Sequence, residues 1–209
     1  MTDSTRKSLR LIVFGSLILI LLVAAVTAGV WSLLNTPDKQ PGRAPGSGGD
    51  FTLMSGAGPV SLHDFRGKVV LLFFGYTHCP DICPATLQHV GQALDLLESA
   101  EQERVRTLFI TVDPERDTPA HLAGYVRFFH DGIIGLGGSL ADIRQVARQY
   151  GVEFFHEKND SGGDYQVVHT SYLFLLDASG AVVDRMSHRT SPQDIATALK
   201  RWLNPATSS

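Results

Sequence analysis

Cysteine is almost missing from this chain: 209 residues hold two, Cys79 and Cys83. That leaves room for one disulfide at most, so no multi-bridged scaffold is available. No basic cluster or aromatic–basic interleaving occurs, and acids outnumber bases 21 to 18. The footprint of a nucleic-acid binder is therefore lacking. No internal repeat is present either, which removes solenoid and propeller architectures. Between Pro119 and Pro192 there is no proline at all, and from Leu11 to Thr36 there is no charge.

The charge-free stretch speaks first. Residues 11–34, LIVFGSLILILLVAAVTAGVWSLL, form an almost wholly apolar run, and about 20 apolar residues span a bilayer core as a helix. Arg6, Lys7 and Arg10 precede it with only Asp3 opposing them. Residues 1–10 are thus expected in the cytoplasm, with the rest delivered to the periplasmic or extracytoplasmic side of a single-pass inner membrane protein. A cleaved signal peptide ending at Ala28 is the competing reading, but the apolar run continues through Trp31, Leu33 and Leu34. No cysteine lies nearby, which excludes a lipoprotein anchor. Residues 35–50, NTPDKQPGRAPGSGGD, carry three prolines and four glycines and read as a flexible tether. The remainder, residues 51–205, is long enough for one domain with a proper core.

Within that domain, KVVLLFFGY (68–76) is a continuous apolar, β-branched and aromatic run, expected to be a central strand covered on both faces. The cysteine segment follows directly. Pro84 is expected as the first helical residue, with Leu87, Val90, Leu94 and Leu97 along one face. A second strand is expected over Thr107–Val112, then a helix with Thr118 as N-cap and Pro119 at its start. SLADIRQVARQYG reads as a helix closed by Gly151. VEFFH and TSYLFLLD read as strands, and AVVDRM as a hairpin partner of the latter. Ser191, Pro192 and Asp194 open a last helix. Residues 51–67 look like an extra N-terminal hairpin. Strands alternating with helices, then a hairpin and helix, indicate an α/β domain with a mixed sheet. A strand leading into paired cysteines at a helix start is the thioredoxin-like arrangement.

Two cysteines four apart close too short a loop to gain much as a structural staple. The other readings, redox dithiol and metal clamp, share one physical basis. A thiol at a helix N-terminus is favoured as thiolate, which is both nucleophile and soft-metal ligand. The spacing of four is expected to set both sulfurs on one side of a helical turn. A general thioredoxin-like exchanger uses two intervening residues and a cis-proline facing the thiols. Here three residues intervene, and the later strand offers His169, in QVVHTSYLFLLD, instead. Two thiolates and one imidazole suit trigonal Cu(I). Of the eight histidines, His78 adjoins Cys79 and is expected to point away from it. His89 turns away from the helix start, and the others read as ordinary surface or core residues.

GYTHCPDICPATL (75–87) resembles the signature of the Sco/SenC family, thioredoxin-like copper proteins of cytochrome c oxidase assembly. TVDPERDTPAHLAGYVRFF (111–129) resembles its second motif, and VVHTSYLFLLDASGAVVDR (167–185) its third. The resemblance implies Cys79, Cys83 and His169 as copper ligands, for Cu(I) and, with a carboxylate or water added, for Cu(II). It also implies that Asp113 or Asp117 shapes the site or serves Cu(II); a turn-forming role for Asp117 before Pro119 stands beside it. Asp81, between the cysteines, reads as a loop former or electrostatic tuner. Residues 157–166 read as a mobile loop. The implied recipient is the CuA centre of cytochrome c oxidase subunit II, loaded from a copper donor that the sequence does not identify. A thiol–disulfide reductase preparing the recipient's cysteines is the alternative, and a thiol peroxidase using Cys79 a third.

Overall fold

The structure is a computed structural model that describes residues 46–158 and 165–204. The expected anchor at 11–34, the segment 1–10 and most of the expected tether lie outside the described residues. Among the described residues no helix is long and apolar enough to cross a membrane.

A hairpin opens the domain: β1 (Thr52–Ser55) and β2 (Gly58–Ser61) pair antiparallel. A 3-10 turn, Leu62–Phe65, follows, capped reciprocally by Ser61 and Asp64. Then come β3 (Val69–Gly75), α1 (Ile82–Asp95), the short α2 (Ser99–Gln102) and β4 (Val105–Thr111). After these run α3 (Pro119–Arg127), β5 (Ile133–Leu136), α4 (Leu140–Tyr150), β6 (Phe154–Lys158), β7 (Tyr165–His169), β8 (Tyr172–Leu176), β9 (Val182–Ser187) and α5 (Pro192–Leu203).

Five strands form one mixed sheet in the order β5-β4-β3-β8-β9. β3 runs parallel to β4 and antiparallel to β8. All seven residues of β3 are buried, as its unbroken apolar run requires of a strand covered on both faces. Phe73, Phe74, Phe109, Phe174 and Tyr150 are its largest fully buried neighbours and members, and each such side chain contributes roughly 1.5–3 kcal/mol of burial. The helix ends follow local chemistry. The Thr118 and Ser191 hydroxyls accept the amides of His121 and Asp194, and Gly151 closes α4 at φ 67°.

Three expectations differ from what is found. The helix after the cysteines begins at Ile82, so Pro84 is its third residue, not its first. The first turn of a helix leaves amides without internal partners, and proline fits there beyond the opening position. Residues 46–50 are packed on the domain and are not tether. The amides of Gly46 and Gly48 donate to the Gln149 carbonyl at 3.1 and 2.9 Å. The Tyr150 hydroxyl donates to the Gly49 carbonyl at 3.0 Å. Gly46 and Gly48 have φ of 89° and 76°; these glycines provide left-handed turns. Finally, residues 157–158 and 165–166, read as parts of a loop, belong to a ribbon of β6 and β7 that pairs Phe154 with His169 and Lys158 with Tyr165.

Candidate metal centre

The site forms at the C-terminal end of β3, where Gly75 hands the chain to the cysteine loop. Gly75 has no side chain for a packing reason. A Cβ there would lie 2.7 Å from Phe109 Cε2 and 2.9 Å from Cys83 Sγ. Cys83 is the second residue of α1 and is fully buried; Cys79 lies outside the helix and is partly exposed. The two do not share a helical turn. The loop curls so that Cys79 Sγ accepts the Cys83 amide at 3.4 Å. The Asp81 amide also donates to this sulfur, and above all the Cys83 thiol does. That thiol hydrogen bond, more than burial opposes it, brings the Cys79 pKa down to about 5. Cys83 moves the opposite way, pushed well above the usual thiol range by its hydrogen bond to Cys79 and by burial. In the reduced, metal-free pair these opposite shifts favour the thiolate at Cys79 and the thiol at Cys83.

His169 ends β7 and faces this pair. Its Nδ1 lies 3.1 Å from the Thr170 carbonyl. A carbonyl can only accept, so Nδ1 carries the hydrogen and Nε2 presents its lone pair. Nε2 points to Cys83 Sγ at 3.8 Å. Burial lowers the His169 pKa, which keeps the ring neutral and ligand-competent. The Tyr76 ring meets it edge to face, centroids 6.0 Å apart. A soft closed-shell ion bound at roughly 2.0–2.3 Å by nitrogen and sulfur, at 120°, sets those atoms about 3.8 Å apart. The Cys83–His169 spacing fits such an ion. Among the described residues no group of three or more His, Cys, Asp or Glu side chains is placed to hold one metal ion. A groove of about 310 Å³, lined by Cys79, Pro80, Ile82, Val168 and His169, gives access to the site.

The two aspartates of the second motif are both buried, and they hold different halves of the site. Asp117 Oδ2 accepts the Thr77 amide at 3.0 Å and the Thr111 hydroxyl at 2.7 Å, and Oδ1 accepts the Thr77 hydroxyl at 2.5 Å. It pins the loop that carries Cys79. Thr118, not Asp117, is the N-cap of α3. Asp113 Oδ1 accepts the Tyr165 hydroxyl at 2.7 Å, and Oδ2 pairs with Arg116 Nε at 2.5 Å. Burial first, then that bond to Asp113, pushes the Tyr165 pKa up to about 12, so Tyr165 is a proton-bearing donor. Asp81 is exposed and its carboxylate caps no amide of α1. His78, exposed beside Cys79, bonds Thr77 Oγ1 through Nδ1 at 3.1 Å, as His121 does through Nε2 at the same distance.

Sequence reasoning missed Gly75, Thr77, Tyr165 and Arg116. Tyr165 and Arg116 act through contacts that no local pattern announces. Gly75 carried a usable signal, a glycine ending a buried strand just before a functional loop.

The family profile described as SCO1/SenC matches residues 39–204. The mitochondrial SCO2 homolog of Bos taurus is 40% identical over 194 residues, covering 87% of this chain and 73% of the relative. Across the curated relatives the covered share ranges at least from 53% to 97%. The structure of Bradyrhizobium japonicum ScoI with copper bound is 37% identical with a TM-score of 0.69, covering 75% of this chain and 99% of that one. BsSco, described with a disulfide switch and as a member of the Sco family of cytochrome c oxidase assembly proteins, is 28% identical with a TM-score of 0.59, covering 79% and 96%.

Proposed function

The chain belongs to the SCO1/SenC family, and on that premise we propose that it is a membrane-anchored copper metallochaperone. In this reading residues 11–34 hold it in the inner membrane, residues 1–10 are cytoplasmic, and the domain faces the periplasm. Cys79, Cys83 and His169 take one Cu(I) as cargo from a copper donor and deliver it to the CuA centre of cytochrome c oxidase subunit II. The observation that carries it is the 3.8 Å contact between Cys83 Sγ and His169 Nε2, whose lone pair faces the thiol. The bond from Nδ1 to a backbone carbonyl is the usual way a protein orients a metal-binding imidazole. Copper-bound relatives such as the Bradyrhizobium protein support the cargo, and the description of BsSco supports the destination.

Transfer follows from the asymmetry of the thiols. Cys79 is partly exposed at the groove while Cys83 is fully buried. An incoming recipient thiolate reaches the ion from the Cys79 side and displaces ligands one at a time, so copper is never free. For Cu(II), a water or carboxylate completes a tetragonal set.

A second reading has its own support in the low Cys79 pKa. The Cys79 thiolate attacks a recipient disulfide, forming a mixed disulfide and releasing one thiolate. Cys83, deprotonated as it reacts, then forms the Cys79–Cys83 disulfide and frees the second recipient thiol. The recipient gains two electrons and this chain loses two.

One pair of assays tests both readings against the copper-free domain of subunit II. Cu(I)-loaded protein added to the reduced recipient is expected to give the CuA absorption once the second copper and oxidation are supplied. Failure of copper to move would overturn the chaperone reading. Copper-free reduced protein added to the oxidised recipient measures the reductase directly, as loss of the recipient disulfide.

A further inference from the structure

His169 sits on a ribbon that is not part of the five-stranded sheet: β6 and β7 pair only with each other. Alternation puts Tyr165, Val167 and His169 on one face of β7, and Gln166 and Val168 on the exposed one. All three inward residues are tied to the body of the domain. Val167 is buried in the core, and its backbone polar group acts on the Tyr76 hydroxyl. His169 meets Cys83. Tyr165 is held in a clasp: its hydroxyl donates to Asp113 Oδ1 at 2.7 Å, and the Arg116 guanidinium lies 3.9 Å from its ring centroid. Arg116 Nε bonds the other oxygen of the same carboxylate. Asp113 is itself fixed at the end of β4, where its amide donates to Thr111 Oγ1 at 2.9 Å.

We infer that the Tyr165–Asp113–Arg116 clasp is the positioning device for the His169 imidazole, and that it sets how strongly copper is retained without acting on the thiols. The inference rests on the copper reading above. Four residues along a strand separate Tyr165 from His169 by roughly 13 Å, so the clasp steers the ligand through the ribbon and through Tyr76, whose ring lies 5.9 Å from the Arg116 guanidinium and packs on His169. The thiol loop is secured by the Asp117 side chain through Thr77, while the two aspartates are joined through Thr111 and the bond from the Asp117 amide to the Asp113 carbonyl. The two buried aspartates thus divide the labour, one per half of the site. Losing the hydrogen bond to the carboxylate is expected to weaken copper binding about ten-fold.

The test uses the full chain in mild detergent with Tyr165→Phe, which keeps the ring over Arg116 and removes only the hydroxyl, and Asp113→Asn as the second variant. Cu(I) competition is measured for each variant alone and combined with His169→Ala. Tyr165→Phe is expected to weaken Cu(I) binding about ten-fold with His169 present, and to have no further effect once His169 is gone. The metal-free protein is expected to show a shifted or broadened His169 ring signal by NMR in Tyr165→Phe, with the rate of Cys79 alkylation unchanged within about two-fold. Equal losses with and without His169, or an unchanged ring signal, would overturn the clasp. If His169→Ala itself leaves Cu(I) binding intact, the three-ligand reading fails, and the ring signal alone then decides the clasp.

Discussion

Cys83 and His169 are 86 positions apart in the chain, and their Sγ and Nε2 atoms stand 3.8 Å apart. Separate pieces of structure produce that distance. α1 delivers the thiol at the end of β3, where Gly75 clears room for it. The β6–β7 ribbon delivers the imidazole, already stripped of its Nε2 hydrogen by the bond from Nδ1 to Thr170. Asp117 and Asp113 lock one half each. The functional consequences can be checked one by one.

Reduced Cys79 is expected to react with iodoacetamide as a thiolate across the neutral range. Its pKa is depressed to about 5, so the rate stays flat above about pH 6 and falls as acid protonates the sulfur. The buried Cys83, whose pKa is raised, is expected to stay unmodified through pH 8. Mass spectrometry of peptides after timed alkylation at several pH values reads both. A Cys79 midpoint near 8.5, that of an ordinary thiol, would contradict the thiolate–thiol assignment.

Asp117→Ala is expected to destabilise the domain by about 3 kcal/mol or more. It removes the acceptor of the Thr77 amide, the Thr77 hydroxyl and the Thr111 hydroxyl, and stranding buried donors costs about 1–3 kcal/mol each. Chemical denaturation measures the loss. A change below about 0.5 kcal/mol would mean that Asp117 does not organise the loop.

Much of this architecture was legible in the sequence, and what was not has physical reasons. β3 and β8 announced themselves by apolar runs, and α3 and α5 by Thr118–Pro119 and Ser191–Pro192. β7 did not: in YQVVH only Val167 is buried, so neither alternation nor a run marks it, and the Gly- and Asp-rich stretch before it reads as loop. Cys79, Cys83 and His169 stood out because thiols are scarce here and one histidine was expected at the start of the strong strand, although that strand begins at Tyr172 and His169 ends β7. The supporting set, Thr77 with Asp117 and Tyr165 with Asp113, joins residues 40 and 52 apart. Such pairs exist only once the sheet has formed. The first glycines of the domain misled for the opposite reason, since composition cannot tell a flexible glycine from one needed at positive φ.

Gly75→Ala is expected to lower stability by about 1–3 kcal/mol, the usual cost of overpacking. The added methyl would meet Phe109 and Cys83, both buried and unable to swing away. Thermal unfolding measures the stability, and Cu(I) competition on the same sample is expected to show weaker binding as Cys83 is displaced. Unchanged stability and binding together would show that the strand end yields.

Two sulfurs and one imidazole nitrogen are proposed to hold the cargo. X-ray absorption at the copper edge, on the Cu(I)-loaded full chain beside its His169→Ala variant, tests this most directly. The account predicts a three-coordinate shell of two sulfurs and one nitrogen at roughly 2.0–2.3 Å, with the nitrogen lost in the variant. A shell of sulfur alone, or a spectrum that ignores His169, would contradict it.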